Sequence, residues 1–281
     1  MVTRADYPKD EVEACLSVMV ELMTVLGEFR DSIALVGGWV PYFLLEEGKE
    51  QHTGSLDIDI AFDLEKISDE TYQTILQFLK ARGYEQGEQP FIFKRIVQVK
   101  EGNPVAVEVT LLAGEYGGTG KAHRTQRVQD VRARKARGCD LVFQHTFLAR
   151  LCWEMPDGAR NEVLMKVADV LPFLVMKGMV LWDRYKEKDA YDIYFSVLHY
   201  PGGIRELAKA FEPFKTNRLV VEGLGKIKAT FSDVNAAGPV WVVNFFEIDD
   251  EEEKERIKRD AFERVNAFLE ALDIKQFQEG S

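Results

Sequence analysis

Cysteine is scarce in this chain. Cys15, Cys139 and Cys152 are the only three in 281 residues, far apart and without metal-ligand spacing. That excludes a disulfide-dense scaffold and a thiolate metal centre, and it suits reduced, mostly buried thiols. Histidine is also sparse. His52, His123, His145 and His199 show no mutual spacing for a metal site or a triad, so each is expected to be structural or exposed; His52 alone lies near a candidate site. Net positive charge is missing. At −11 the surface as a whole cannot serve as a nucleic-acid grip, so any such binding needs a local basic patch. Long hydrophobic runs are missing too. The most apolar stretch, LPFLVMKGMVLW, is short and contains Lys177, so it reads as a buried helix and no membrane association is expected. The start, MVTRADYPKDEVEACL, has no apolar segment behind a basic region. No signal peptide is therefore expected, and the expected location is cytoplasmic.

Apolar residues make up 46% of the chain, enough to bury a sizeable core. Val12, Leu16, Met19, Val20 and Met23 recur at helical spacing and predict a helix over about 9–27. SIALVGGW reads as a short strand running into a Gly-Gly turn, PYFLLEEG as a short helix ended by Gly48, and SLDIDIAFD as a strictly alternating strand. Ser68 caps a helix that reaches about Arg82, with Asp69 and Glu70 in its first turn. FIFKRIVQVK and PVAVEVTLLAG are two further strands, 114–138 is a long polar and basic loop or arm, and Pro156-Asp157-Gly158 turns a hairpin. From Asp169 the pattern is helical, with a helix over about 187–199. A final helix begins near Asp249, with Ile257, Ala261, Phe262, Val265, Phe268, Leu269 and Leu272 as its core stripe. The expected architecture is an α/β (α+β) domain over 1–168, a mixed sheet with flanking helices, followed by a helical C-terminal domain over 169–281.

Alternation turns Leu56, Ile58 and Ile60 one way and Asp57 and Asp59 the other. Two carboxylates on one face repel each other, and a divalent cation, which takes several oxygen ligands, accounts for them. On PVAVEVTLL the same logic points Val105, Val107 and Val109 into the core and Glu108 outward. If the two strands are neighbours, Glu108 joins Asp57 and Asp59. Gly37 and Gly38 allow close approach of a phosphate to backbone amides, and Thr53 and Ser55 add hydroxyls beside the acids. The competing account is solvent-facing acids on half-exposed strands beside an ordinary turn. Trp39 could stack on a base or sit in the core.

LVGGWVPYFLL followed by TGSLDIDIAFD resembles the signature of the polymerase-β-like nucleotidyltransferase superfamily. The long spacing from Gly38 to Asp57 is similar to that of the AbiEii-toxin-like branch. That branch also carries a C-terminal Lys and a Lys-Asp-x-x-Asp-like segment, and here the chain reads FLVMKGMVLWDRYKEKDAYDIYF. The resemblance covers roughly 30–112 and 165–198. It implies a nucleotidyltransferase-type mixed sheet, Mg2+ or Mn2+ on Asp57, Asp59 and Glu108, and an NTP donor. Nucleotide contacts are implied for Gly37, Gly38, Thr53, Ser55, Lys177, Arg184 and Lys188. Two positions depart from the pattern: Thr53 stands where relatives commonly have Arg, and Glu108 where many have Asp.

The function expected is transfer of a nucleotidyl group to RNA, protein or a small molecule, with a place as the toxin of a toxin–antitoxin pair and an antitoxin protein as partner. The alternative is a nucleotide-binding or interaction module of the same fold without turnover. The three acids favour the transferase. The basic run Lys121, Arg124, Arg127, Arg132, Arg134, Lys135 and Arg137 fits RNA or another polyanion, or else a solvated arm that balances the acidic last helix. Lys177 and Arg184 share a helix face bordering the core. Lys177 there needs an anionic partner, either Asp189 or Asp192 or a bound triphosphate.

Overall fold

The computed structural model describes residues 1–45, 51–99, 103–114, 125–128 and 131–277. The side chains of Asp69, of 125–128 and of 131–132 fall outside that description. The chain forms two compact units: Tyr7–Val40 with Gly54–Asp169, and Met1–Asp6 with Pro41–Thr53 and Val170–Ser281.

The first unit is mixed α/β. Its helices are α1 (Lys9–Val25) and α3 (Asp69–Ala81). Its strands are β1 (Ile33–Val36), β2 (Asp57–Phe62), β3 (Glu85–Gln86), β4 (Ile92–Val97), β5 (Val105–Ala113), β6 (Thr125–Val128), β7 (Val131–Lys135), β8 (Thr146–Glu154) and β9 (Arg160–Ala168). The main sheet runs β3-β4-β5-β2-β1-β9-β8. It is mixed, because β2 pairs antiparallel with β1 and parallel with β5. Of the predicted apolar stripe of α1, Leu16, Met19, Val20 and Met23 are buried and Val12 is half-buried; Leu22 is buried beside them. Within α1, buried Glu21 receives Arg95 of β4 at 3.1 Å, which offsets its desolvation. Ser68 caps α3 by accepting from the Thr71 amide. The hairpin at Pro156-Asp157-Gly158 joins β8 to β9 in a nine-pair antiparallel ladder.

One expectation is corrected. The segment 114–138 is not simply a loop: β6 and β7 form an antiparallel hairpin within it, and β7 pairs parallel with the end of β5, Leu112 opposite Arg134. Polar and basic residues without apolar alternation hide such a strand, because the backbone ladder holds it rather than a buried face.

The second unit is helical: α2 (Val40–Leu44), which begins at the last residue of the α/β unit, α4 (Val170–Arg184), α5 (Glu187–His199), α6 (Gly203–Phe211), α7 (Arg218–Thr230), α8 (Ala237–Phe246) and α9 (Glu251–Ala271). α4 packs on α7, and α5 on α8 and α9. At the α4–α7 crossing a Cβ on Gly178 would stand 2.1 Å from the Gly223 carbonyl oxygen, so glycine is what lets the two backbones meet. Asp250 caps α9, and Ala261, Val265, Phe268, Leu269 and Leu272 of its stripe are buried. No helix among the described residues is long and apolar enough to cross a membrane.

Candidate functional site

The α/β unit brings together six of the predicted residues. Register sets Asp57 of β2 directly opposite Glu108 of β5, and Asp59 opposite Thr110. Register partners in neighbouring strands share a sheet face, so Asp57, Asp59 and Glu108 lie on one side. On the opposite face Ile58, Ile60, Val107 and Val109 are fully buried. On the other flank of β5, Lys94 of β4 pairs with Glu108, adding an exposed cation to the acid-bearing face.

The glycines stand against these acids. β1 ends at Val36, whose register partner is Asp59. The chain then turns through a short 3-10 segment, Gly37–Trp39, with Gly37 at φ +74°. A Cβ on Gly37 would fall 2.2 Å from Asp59 Oδ2, and one on Gly38 would fall 2.7 Å from Ser55 Oγ. Two independent constraints, positive φ and contact with a carboxylate, therefore require glycine at 37. Ser55 Oγ donates to Asp57 Oδ1 at 2.5 Å. Trp39, fully buried, donates from its indole nitrogen to the Asp57 carbonyl at 2.9 Å and so pins the start of β2. That makes Trp39 a core residue. Below the acids, burial pushes the Cys15 and Cys139 thiols up; Asp57 adds to this at Cys15, and Asp140 then Asp59 at Cys139. Both thiols stay protonated and unreactive.

The acids share a face and a register but not yet a common point. Among the described residues no three His, Cys, Asp or Glu side chains are gathered into a metal-holding group. The donor set nevertheless suits a hard cation: three carboxylates from adjacent strands, two of them directly opposed, beside a hydroxyl and a glycine turn.

The remaining predicted residues belong to the helical unit. Thr53 lies in the segment Pro41–Thr53 that clusters there. Lys177 is 5% exposed, and its Nζ lies 2.7 Å from Asp189 Oδ1 and 2.7 Å from Asp192 Oδ2. Arg184 donates to both Asp189 oxygens at 2.8 and 2.9 Å, and Lys188 bonds Asp192. Asp192 takes a further contact from His52 Nε2 at 3.0 Å. Burial opposes the Lys177 charge, but Asp189 and Asp192 outweigh it and raise its pKa; burial lowers that of Lys188 despite Asp192. Burial would raise both aspartates, yet Lys177 with Arg184 at Asp189, and Lys177 with Lys188 at Asp192, hold them below the ordinary carboxylate range. His52, expected to be structural or exposed, is structural: it is buried within this network. Burial and the Lys188 charge lower its pKa to about 4. Of the basic run, Lys121, His123 and Arg124 lie outside the described residues, as do the side chains of Arg127 and Arg132, while Arg134 and Arg137 are exposed.

Comparison with models of protein families finds no match, and comparison with curated proteins finds none either. Among solved structures, a candidate nucleotidyltransferase from H. pylori is similar at 14% identity and a TM-score of 0.41, over 92% of this chain and 96% of that one. JHP933 from Helicobacter pylori is similar at 14% identity and a TM-score of 0.36, over 92% and 93%. Likeness this distant carries no functional argument, which rests on the residues themselves.

Proposed function

We propose that this protein is a metal-dependent nucleotidyltransferase, moving a nucleotidyl group from an NTP to an acceptor hydroxyl. The observation that carries the reading is the side-by-side register of Asp57 and Glu108, with Asp59 on the same face pressed against Gly37. Asp57, Asp59 and Glu108 would hold Mg2+ or Mn2+. A divalent ion bound there supplies activation of the attacking hydroxyl and charge compensation for the leaving pyrophosphate. Ser55 orients the Asp57 carboxylate, and the Gly37-Gly38 turn lets the Asp59 carboxylate and the Ser55 hydroxyl close against its backbone. In the helical unit three cations, Lys177, Arg184 and Lys188, stand with two anions, Asp189 and Asp192. A nucleotide contact from this group would exchange a carboxylate for a phosphate oxygen. The sequence resemblance to the AbiEii-like branch supports a toxin role with an antitoxin partner. The basic run over 121–137 supports RNA or another polyanion as a partner.

The test is label transfer. Wild type is incubated with each NTP labelled at the α-phosphate, Mg2+ or Mn2+, and total RNA, protein extract or small-molecule acceptors. The expected result is label on one acceptor class, abolished by EDTA and in Asp57→Asn and Asp59→Asn variants that remain folded. Equal transfer by wild type and Asp59→Asn would overturn the reading.

A further inference from the structure

The α/β unit contains a cavity of about 260 Å³ that the transferase reading does not use. Three elements wall it. α1 contributes Asp10, Glu13, Ala14 and Ser17, a stripe at helical spacing. The end of β4 and the residues after it add Val97 and Val99, and the end of β8 adds Trp153, Glu154 and Met155.

The charge of the lining is of one sign. Asp10, Glu13 and Glu154 line it, and no Lys, Arg or His stands with them. Asp10 and Glu154 form no ion pair among the described residues. Glu13 meets only Lys9, at 3.6 Å and with side chains 44% and 86% exposed, a pair too solvated to occupy the carboxylate. Arg160 stands opposite Glu154 in the β8–β9 ladder without an ion pair to it among the described residues. The groups that would meet a ligand are also open. Ser17 is 9% exposed, and its hydroxyl has no hydrogen-bond partner among the described residues. Trp153 is half-buried; among the described residues its indole N–H is unbonded and its ring packs on no other ring. Among the described residues no three acids are gathered into a metal-holding group. The carboxylates here therefore do not converge on one point, and a ligand that satisfies them carries its charge along its length.

We propose that this cavity binds a linear aliphatic polyamine. Protonated amines spaced along a chain reach Asp10 and Glu13 on one wall and Glu154 on another through charge-assisted hydrogen bonds. A primary ammonium carries three N–H donors, for which Ser17 Oγ is a buried acceptor; a quaternary ammonium has none to give. The methylenes between the amines lie against Trp153, Met155 and the two valines, and an ammonium over the indole face gains cation–π attraction. The volume falls below that of drug-sized sites, which suits a thin unbranched chain. A net charge of −11 favours approach of such a cation. The lining contains none of Asp57, Asp59 or Glu108, so the proposal stands independently of the transferase reading.

Isothermal titration of the full chain with putrescine, spermidine and spermine tests it, in metal-free buffer at about 150 mM NaCl to screen exposed charges. The expected result is saturable one-to-one binding of at least one of the three, undiminished in Asp57→Asn. Ser17→Ala, which breaks no hydrogen bond of the fold, is expected to weaken it about fivefold, and Asp10→Asn/Glu154→Gln about tenfold or more. Glu251→Gln/Glu252→Gln on exposed α9 removes as much charge elsewhere and is expected to bind as wild type does. Butylamine, with one amine, is expected to bind about tenfold more weakly than the tightest polyamine. Five results would overturn the proposal: no saturable binding, unchanged affinity in folded Asp10→Asn/Glu154→Gln or Ser17→Ala, an equal loss in the α9 variant, butylamine binding equally well, or loss of binding in Asp57→Asn.

Discussion

Gly37 carries two demands at once, and a single methyl group tests both. At φ +74° an L-residue is strained, and the added Cβ would displace the Asp59 carboxylate. Gly37→Ala is expected to cost about 1–3 kcal/mol in urea unfolding and to abolish transferase activity. Asp59→Asn keeps the shape and is expected to lose activity with little change in stability. A Gly37→Ala variant of full stability and activity would remove the glycine from the site. His52 ties stability to pH. Its folded pKa of about 4 is depressed, so the unfolded chain takes up the proton first. The stability it contributes is present above its ordinary range near 6.5, is lost as pH falls, and is gone by about 4. Chemical denaturation across that window should show wild type weakening more than His52→Gln; identical slopes would contradict the assignment.

At the scale of elements, α4 and α5 are tied by Lys177, whose two aspartate partners are both buried. Removing the ammonium takes one cation from each aspartate, while Arg184 still holds Asp189 and Lys188 still holds Asp192, so Lys177→Met is expected to destabilise by about 1–3 kcal/mol, read by urea midpoint. A loss below about 1 kcal/mol would mean that the network is dispensable to the fold. Elements of this kind were legible in the sequence to different degrees. The alternation of DIDIAF, the Ser68 cap and the Pro156-Asp157-Gly158 turn are local signals, and the structure places β2, α3 and the β8–β9 hairpin there. The pairing of Asp57 with Glu108 needed one assumption, that their strands are neighbours, and β2 and β5 are. His52 reaching Asp192 was not legible, because 140 residues separate them and only packing brings them together. Likewise β7 has little apolar pattern, and its pairing with β5 is written in backbone hydrogen bonds.

The chain does not divide at one point: Met1–Asp6 and Pro41–Thr53 cluster with Val170–Ser281, so Thr53 and Ser55 belong to different compact units. The hydrophobic pattern marks where helices replace strands but not which segments return to pack elsewhere. The divalent cation proposed for one face of the α/β sheet can be measured apart from turnover. Mn2+ titration followed by electron paramagnetic resonance tests it most directly, on wild type and on Asp57→Asn, Asp59→Asn and Glu108→Gln. Wild type is expected to bind Mn2+ saturably, with affinity weakened about tenfold or more by each substitution and with Mg2+ competing. Mn2+ affinity unchanged in all three folded variants would contradict it.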